Sequence, residues 1–166
     1  MGTDSHTCNS CGITKPVACF SKTNRKCNDC RRGLSKDRAN SSVEYFLRAR
    51  LSSMRQRHKQ KEYDGDIVGI EYLTALYEEQ RGICALTGIP MHVSTDHSDL
   101  SASPDRIDIE KGYIEGNIRL VCARINLMRS SLGDHDLVWW CRAVVNRNGN
   151  PSLLSSMRHS CMSILS

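Results

Sequence analysis

The sequence is poor in aromatic rings, with two Phe, two Trp and five Tyr in 166 residues. Few rings mean few stacking platforms, which weighs against a reader of unstacked RNA bases, and few of them fall in the basic part of the chain. Proline and glycine are sparse too, four and eleven, which excludes collagen-like and low-complexity chains. No apolar run approaches the roughly 20 residues that a membrane-spanning helix needs. The best, Leu137-Val138-Trp139-Trp140-Cys141, is stopped by Arg142. The first residues, Met1 to His6, lack the basic start and apolar core of a secretory leader, so the expectation is a reducing, cytoplasmic setting with no membrane partner.

What is present suits a folded chain: 39% hydrophobic and 25% charged residues, in a length that holds one compact domain or a small domain plus a stapled module. The net charge of +5 hides an asymmetry. Residues 1–61 carry 14 Lys/Arg against 4 Asp/Glu, giving +10, while 62–166 carry 9 against 14, giving −5. Nine cysteines, an odd number, read in a reducing compartment as metal ligands or buried thiols before disulfides.

Four of them form two pairs, Cys8-x2-Cys11 and Cys27-x2-Cys30, separated by 15 residues. Each pair can bend around an ion through a tight knuckle, and two knuckles complete a tetrahedral thiolate site with no open position. Such a site is structural, and the stretch around it is too short for an apolar core, so one zinc ion is expected to hold it. The alternatives are two disulfides, disfavoured by the compartment, and a redox Cys-x-x-Cys, which wants a βαβ setting that is missing. Cys19, between the pairs, reads as a buried or free thiol.

From 41 to about 61 the pattern is helical. Ser41 with Glu44 three residues on is a capping-box signature, and Leu47, Leu51, Met54 and His58 share one face. The rest of that helix is basic: Arg48, Arg50, Arg55, Arg57, Lys59 and Lys61. A solvated helix usually mixes signs at i,i+4, so charge of one sign, continued from Arg31, Arg32, Lys36 and Arg38, points to polyanion phosphates. Arg31, Arg32, Lys36, Arg38, Arg48, Arg55 and Lys59 are the candidate DNA contacts; the competing reading is a helix that covers an acidic partner or the acidic half of this chain. A second helix is expected over 69–81, with Ile70, Leu73, Leu76 and Tyr77 inward. A short strand follows at Ile118–Cys122, then a helix over 122–132 with Ile125, Met128 and Leu132 inward. The last helix, 134–146, has Asp134 as N-cap and Leu137, Trp140, Cys141 and Val144 as its stripe.

The most informative string is Ser103-Pro104-Asp105-Arg106-Ile107-Asp108, followed by Gly112-Tyr113, Gly116-Asn117-Ile118, Leu120-Val121-Cys122 and Asn126-x2-Arg129. Its physical content is a carboxylate on a strand, a turn, a second strand and a helix presenting an amide. Two oxygen ligands brought together in this way suit a hard divalent ion, Mg²⁺ or Mn²⁺, that keeps most of its waters.

These motifs, with Gln80-x-Gly82-x-Cys84 and Thr87-Gly88 ahead of them, resemble the HNH endonucleases of the ββα-metal fold, in particular a phage and bacterial branch reading Asp-Arg-Ile-Asp, Gly-Tyr, Gly-Asn-Ile and Val-Cys. The resemblance covers about 72–132. It implies Asp105 as first metal ligand, Asn126 as the helix-borne ligand of the same single catalytic ion, and Asn117 as the residue bracing the loop between the strands. Arg106 departs from the wider family, which has there the His that activates water, and an arginine cannot act as general base at neutral pH. Arg106 is then a candidate phosphate clamp, with proton removal left to His97, His92 or bulk water, His97 being the choice. Asp108 is either a further metal residue or the cap of the Lys111-Gly112 turn. The family's second zinc would need two Cys-x2-Cys pairs where this chain has Cys84-x2-Thr87 and Cys122-x2-Ile125, so Cys84 and Cys122 read as neighbouring core thiols.

The expected fold class is α+β: a small ββα-metal core with flanking helices, preceded by a zinc ribbon and a basic helix. The division is 1–34 zinc ribbon, 35–66 basic helical linker, 67–148 HNH-like nuclease domain and 149–166 flexible tail. The implied function is metal-dependent hydrolysis of double-stranded DNA in a bacterial or phage-infected cell, with ribbon and helix gripping the backbone. The alternative is a zinc-containing DNA-binding protein whose nuclease site has decayed.

Overall fold

In a computed structural model the chain is a mixed α+β protein; residues 4–23, 25–39, 41–94 and 99–149 are described. A hairpin of β1 (Ser5–Thr7) and β2 (Thr14–Pro16) leads through a 3-10 turn at Val17–Cys19 to α1 (Asn28–Ala39), α2 (Val43–Gln60) and α3 (Ile70–Glu79). A second antiparallel hairpin, β3 (Ala102–Arg106) with β4 (Ile118–Cys122), runs straight into α4 (Ala123–Arg129), and α5 (Asp134–Asn148) closes the order. Among the described residues no helix is long and apolar enough to cross a membrane. His97 and the tail beyond Gly149 lie outside the described residues.

α2 has the stripe the sequence predicts. Leu47, Leu51 and Met54 are buried with Phe46 beside them, in one cluster with Leu73 of α3 and with Ala102, Ile118, Leu120 and Val121 of the hairpin. The stretch expected to be a linker therefore supplies a wall of the core on which the hairpin is laid. The cap is Ser42, whose hydroxyl accepts from the Tyr45 N–H at 3.2 Å. Ser41 instead ends α1, its hydroxyl donating to the Arg38 carbonyl at 2.7 Å, and Glu44 pairs forward with Arg48 instead of reaching back to the cap.

Two connections fix the hairpin on this wall. The Gln80 side chain, just past α3, donates to the Leu120 carbonyl at 2.8 Å and accepts from the Leu120 N–H at 2.9 Å, as a neighbouring strand would. Cys84 and Cys122 are buried side by side, the Cys122 N–H reaching the Cys84 sulfur at 3.3 Å.

The last two helices differ from expectation. α4 stops at Arg129, because Ser130 takes φ 49° and turns the chain before Leu132. Met128 is consequently exposed and Arg129 takes the inward place. On α5 only Leu137 is buried; Trp140 and Val144, expected in its inward stripe, are 55% and 58% exposed. Gly133 is the N-cap position, and Asp134 sits in the first turn with its carboxylate engaged elsewhere.

Candidate functional site

The first candidate is the four-cysteine cluster. Cys8 follows β1, and the chain turns so that the Gly12 N–H returns to the Cys8 carbonyl at 2.9 Å. Gly12 makes that turn at φ 71°, a region glycine enters without penalty. Cys27 is bridged to Phe20, and Cys30 lies in the first turn of α1. The second pair thus opens a helix where the sequence suggests another knuckle. The four sulfurs all lie within 4.8 Å of one another, a spacing that includes the ~3.8 Å edge of a tetrahedron with 2.3 Å metal–sulfur bonds. Backbone N–H groups of Cys27, Cys11 and Ser10 pull the Cys8 thiol down to about 6. The N–H of Cys30 lowers Cys27, whereas the sulfurs of Cys27 and Cys11 push Cys30 up to about 12. Four thiolates cannot coexist there without a cation, and a metal such as zinc is what the donor set can hold.

The second candidate is a cleft of about 740 Å³ where β3, α4 and the C-terminal end of α2 meet, lined among others by Arg57, Lys61, Tyr63, Asp105, Arg106, Glu110, Asn126 and Arg129. Asp105 is 4% exposed. It stands opposite Arg119 in the β3–β4 register, so the two side chains share a face of the hairpin, and Arg119 Nε donates to Asp105 Oδ2 at 2.9 Å. Arg129, 2% exposed, donates to Asp105 Oδ1 at 2.9 Å, to the Ile107 carbonyl at 2.8 Å and to Asp134 at 3.1 Å. Arg119 closes the ring with a bidentate pair on Asp134 at 2.6 and 2.5 Å. Two guanidinium groups and two carboxylates thereby join β3, β4, α4 and α5. Arg119 first, then Arg129, holds the Asp134 carboxyl down at about 2.

Asn126 shares the cleft with Asp105. Its amide nitrogen is spent on β3, donating to Ser103 Oγ at 2.8 Å and to the Pro104 carbonyl at 3.2 Å, which leaves Oδ1 as the end without a bond to the hairpin. Asn117 is buried and braces the connection between the strands: Nδ2 donates to the carbonyls of Asp108 and Gly112, and Oδ1 accepts from the Asp108 N–H at 2.9 Å.

Arg106 lines the cleft but is partly committed. NH1 donates to the Tyr63 hydroxyl, to the Ile109 carbonyl at 2.8 Å and to the Lys111 carbonyl at 3.3 Å, while the guanidinium lies over the rings of Tyr63 and Tyr113. Its NH2 and Nε have no protein acceptor among the described residues. Asp108 does not line the cleft. Its carboxylate takes the Glu110 N–H at 3.0 Å and pairs with Lys111 at 3.3 Å, and these two hold it below the usual carboxylate range. That is the turn-capping arrangement.

No histidine lines the cleft among the described residues. His92 is a backbone bridge partner of Ser101, and His58 accepts the Tyr113 N–H on Nδ1 at 3.3 Å with Nε2 at 3.2 Å from the Gly65 carbonyl. Sequence reasoning passed over Arg57, Lys61, Tyr63 and Arg119 as site residues. Tyr63 and Arg119 belong to no spacing motif, and only the β3–β4 register reveals that Arg119 faces Asp105. The candidate contacts Arg31, Arg32, Lys36 and Arg38 are on α1 and exposed, and Arg48, Arg55 and Lys59 are exposed on α2. No protein family, curated protein or solved structure gives a match to this chain.

Proposed function

We propose that the chain is an HNH-type endonuclease, a metal-dependent hydrolase of phosphodiester bonds in duplex DNA, with one structural zinc in the four-cysteine centre and a cytoplasmic place of work. The observation that carries this reading is that Asp105 from a strand and Asn126 from a helix open on one cleft whose rim is basic. Each Asp105 oxygen accepts one guanidinium bond, so a lone pair remains on each. With the Asn126 Oδ1 these make a hard oxygen set that fits Mg²⁺ or Mn²⁺ retaining most of its waters. When bound, such an ion supplies charge stabilisation for the leaving oxygen. The remaining roles fall to the chain itself: Arg57 and Lys61 attract the backbone, Arg106 offers NH2 to a phosphate oxygen, and Asn117 keeps the strand connection from closing over the cleft.

A second reading, a DNA-binding protein that does not cut, is favoured by two specific features: Asp105 is enclosed by two guanidinium groups, and among the described residues the lining carries no imidazole to take a proton. Supercoiled plasmid incubated with Mg²⁺ and with Mn²⁺ separates the two. The nuclease reading expects nicked or linear product from wild type, and none from Asn126→Ala or Asp105→Asn variants whose circular dichroism is unchanged. Retardation of DNA without any product would hand the protein to the second reading. Neither product nor retardation would remove both.

A further inference from the structure

The basic helix α2 has two flanks, one on either side of its buried stripe, and they are electrostatically different. At 100° per residue, Arg50, Arg57 and Lys61 fall together on one flank, and Arg48, Arg55 and Lys59 on the other. On the second flank Arg48, at the end nearest α3, is already answered by acid. Glu44 pairs with Arg48, Glu71 of α3 adds to the field that raises the Arg48 pKa, and Glu44, Glu71 and Glu78 line one shallow groove beside it.

The first flank has no such answer. Among the described residues no carboxylate pairs with Arg50, Arg57 or Lys61. Arg50 lies over the Phe46 ring and Arg57 over the Tyr113 ring, at 4.8 and 5.5 Å from the centroids. Burial and the like charge of Arg57 make Arg50 release its proton more readily than a free arginine. Arg57 and Lys61 then continue into the cleft, where Arg106 shares the Tyr113 ring with Arg57. Like charges held together without a counter-charge destabilise a fold by themselves, and a polyanion removes that cost.

We infer that Arg50, Arg57 and Lys61 form the track that leads one strand of a DNA backbone into the cleft, and that the flank of Arg48, Arg55 and Lys59 stays off the DNA. Eleven residues of helix span ~17 Å, about five phosphates of one strand along the duplex axis. The inference rests on the DNA reading given above but moves the contact on α2 from Arg48, Arg55 and Lys59, which the sequence analysis named, to the opposite flank.

The test uses the full-length zinc-loaded chain and a labelled random-sequence duplex, with affinity followed by fluorescence anisotropy over a series of salt concentrations. Arg57→Gln with Lys61→Gln is compared with Arg55→Gln with Lys59→Gln, two changes of equal charge. The track variant is expected to bind about tenfold or more weaker and to lose about 1.8 from the slope of log K against log salt, while the control changes about twofold or less. Lys61→Gln alone, at an exposed position, is expected to give about half of that slope loss without touching the Tyr113 stack. Equal losses in the two double variants, or a larger loss in the control, would overturn the track. Absence of binding by the wild type would instead defeat the DNA reading, and the track with it.

Discussion

Arg129 illustrates how much of this protein is settled by single charged side chains. A guanidinium 2% exposed is tolerable only if its donors are used, and Arg129 spends Nε, NH1 and NH2 on Asp134, Asp105 and the Ile107 carbonyl. Asp134 gives this network a pH signature. Its carboxyl is held at about 2, below the ordinary 3.8, so the stabilisation is fully present above the ordinary value and lost as pH falls from near 3.8 towards about 2. Melting curves of wild type and Asp134→Asn are expected to differ at neutral pH and to converge as that window is crossed. Curves that stay parallel would detach Asp134 from the network. Asp105, Asn117 and Asn126 were singled out together because each sits in a motif that carries the HNH resemblance. Arg119 and Asp134 were not, since their meaning depends on a strand register and on the docking of α5, neither of which is a local property. The capping role of Asp108 was one of two readings, and its carboxylate does take the N–H of Glu110.

Among the elements, the connection from β3 to β4 lies against the end of α2 at Gly112. A methyl group there would come within 2.5 Å of His58 Cε1 and 2.8 Å of Tyr63 Cβ. Gly112→Ala is therefore expected to cost about 1–3 kcal/mol through overpacking, measured by urea unfolding, and to move Tyr113 and the Arg57 stacked on it. The helices α2 and α3 were readable because their apolar residues recur at helical spacing over two turns or more, enough for the core to dominate. Shorter or doubly apolar elements were not. α4 gives too few residues to show a period, and α5 is apolar on more of its circumference than the core can cover, so periodicity does not say which side turns inward. The N-cap of α2 fell one residue later than Ser41 because two serines compete and the first is used to finish α1.

As a whole the molecule has two centres held by different forces. The N-terminal hairpin and the start of α1 gather on four sulfurs and bury few apolar side chains beyond Cys8 and Cys27, whereas α2, α3 and the second hairpin share one apolar cluster. Removing metal with a chelator is expected to melt the first centre and leave the second, seen in calorimetry as loss of one transition while the other moves by no more than a few degrees. Collapse of both together would mean that α1 and α2 transmit the loss. The contact between those helices is the most extensive described route for it. The two tryptophans bear on how any of this is watched. Trp139 and Trp140 are each 55% exposed, edge to face at 4.8 Å on the outer side of α5. Their indoles are already wet in the native state, so intrinsic emission carries little information about either centre, and a dye or backbone signal is the faithful witness to unfolding here.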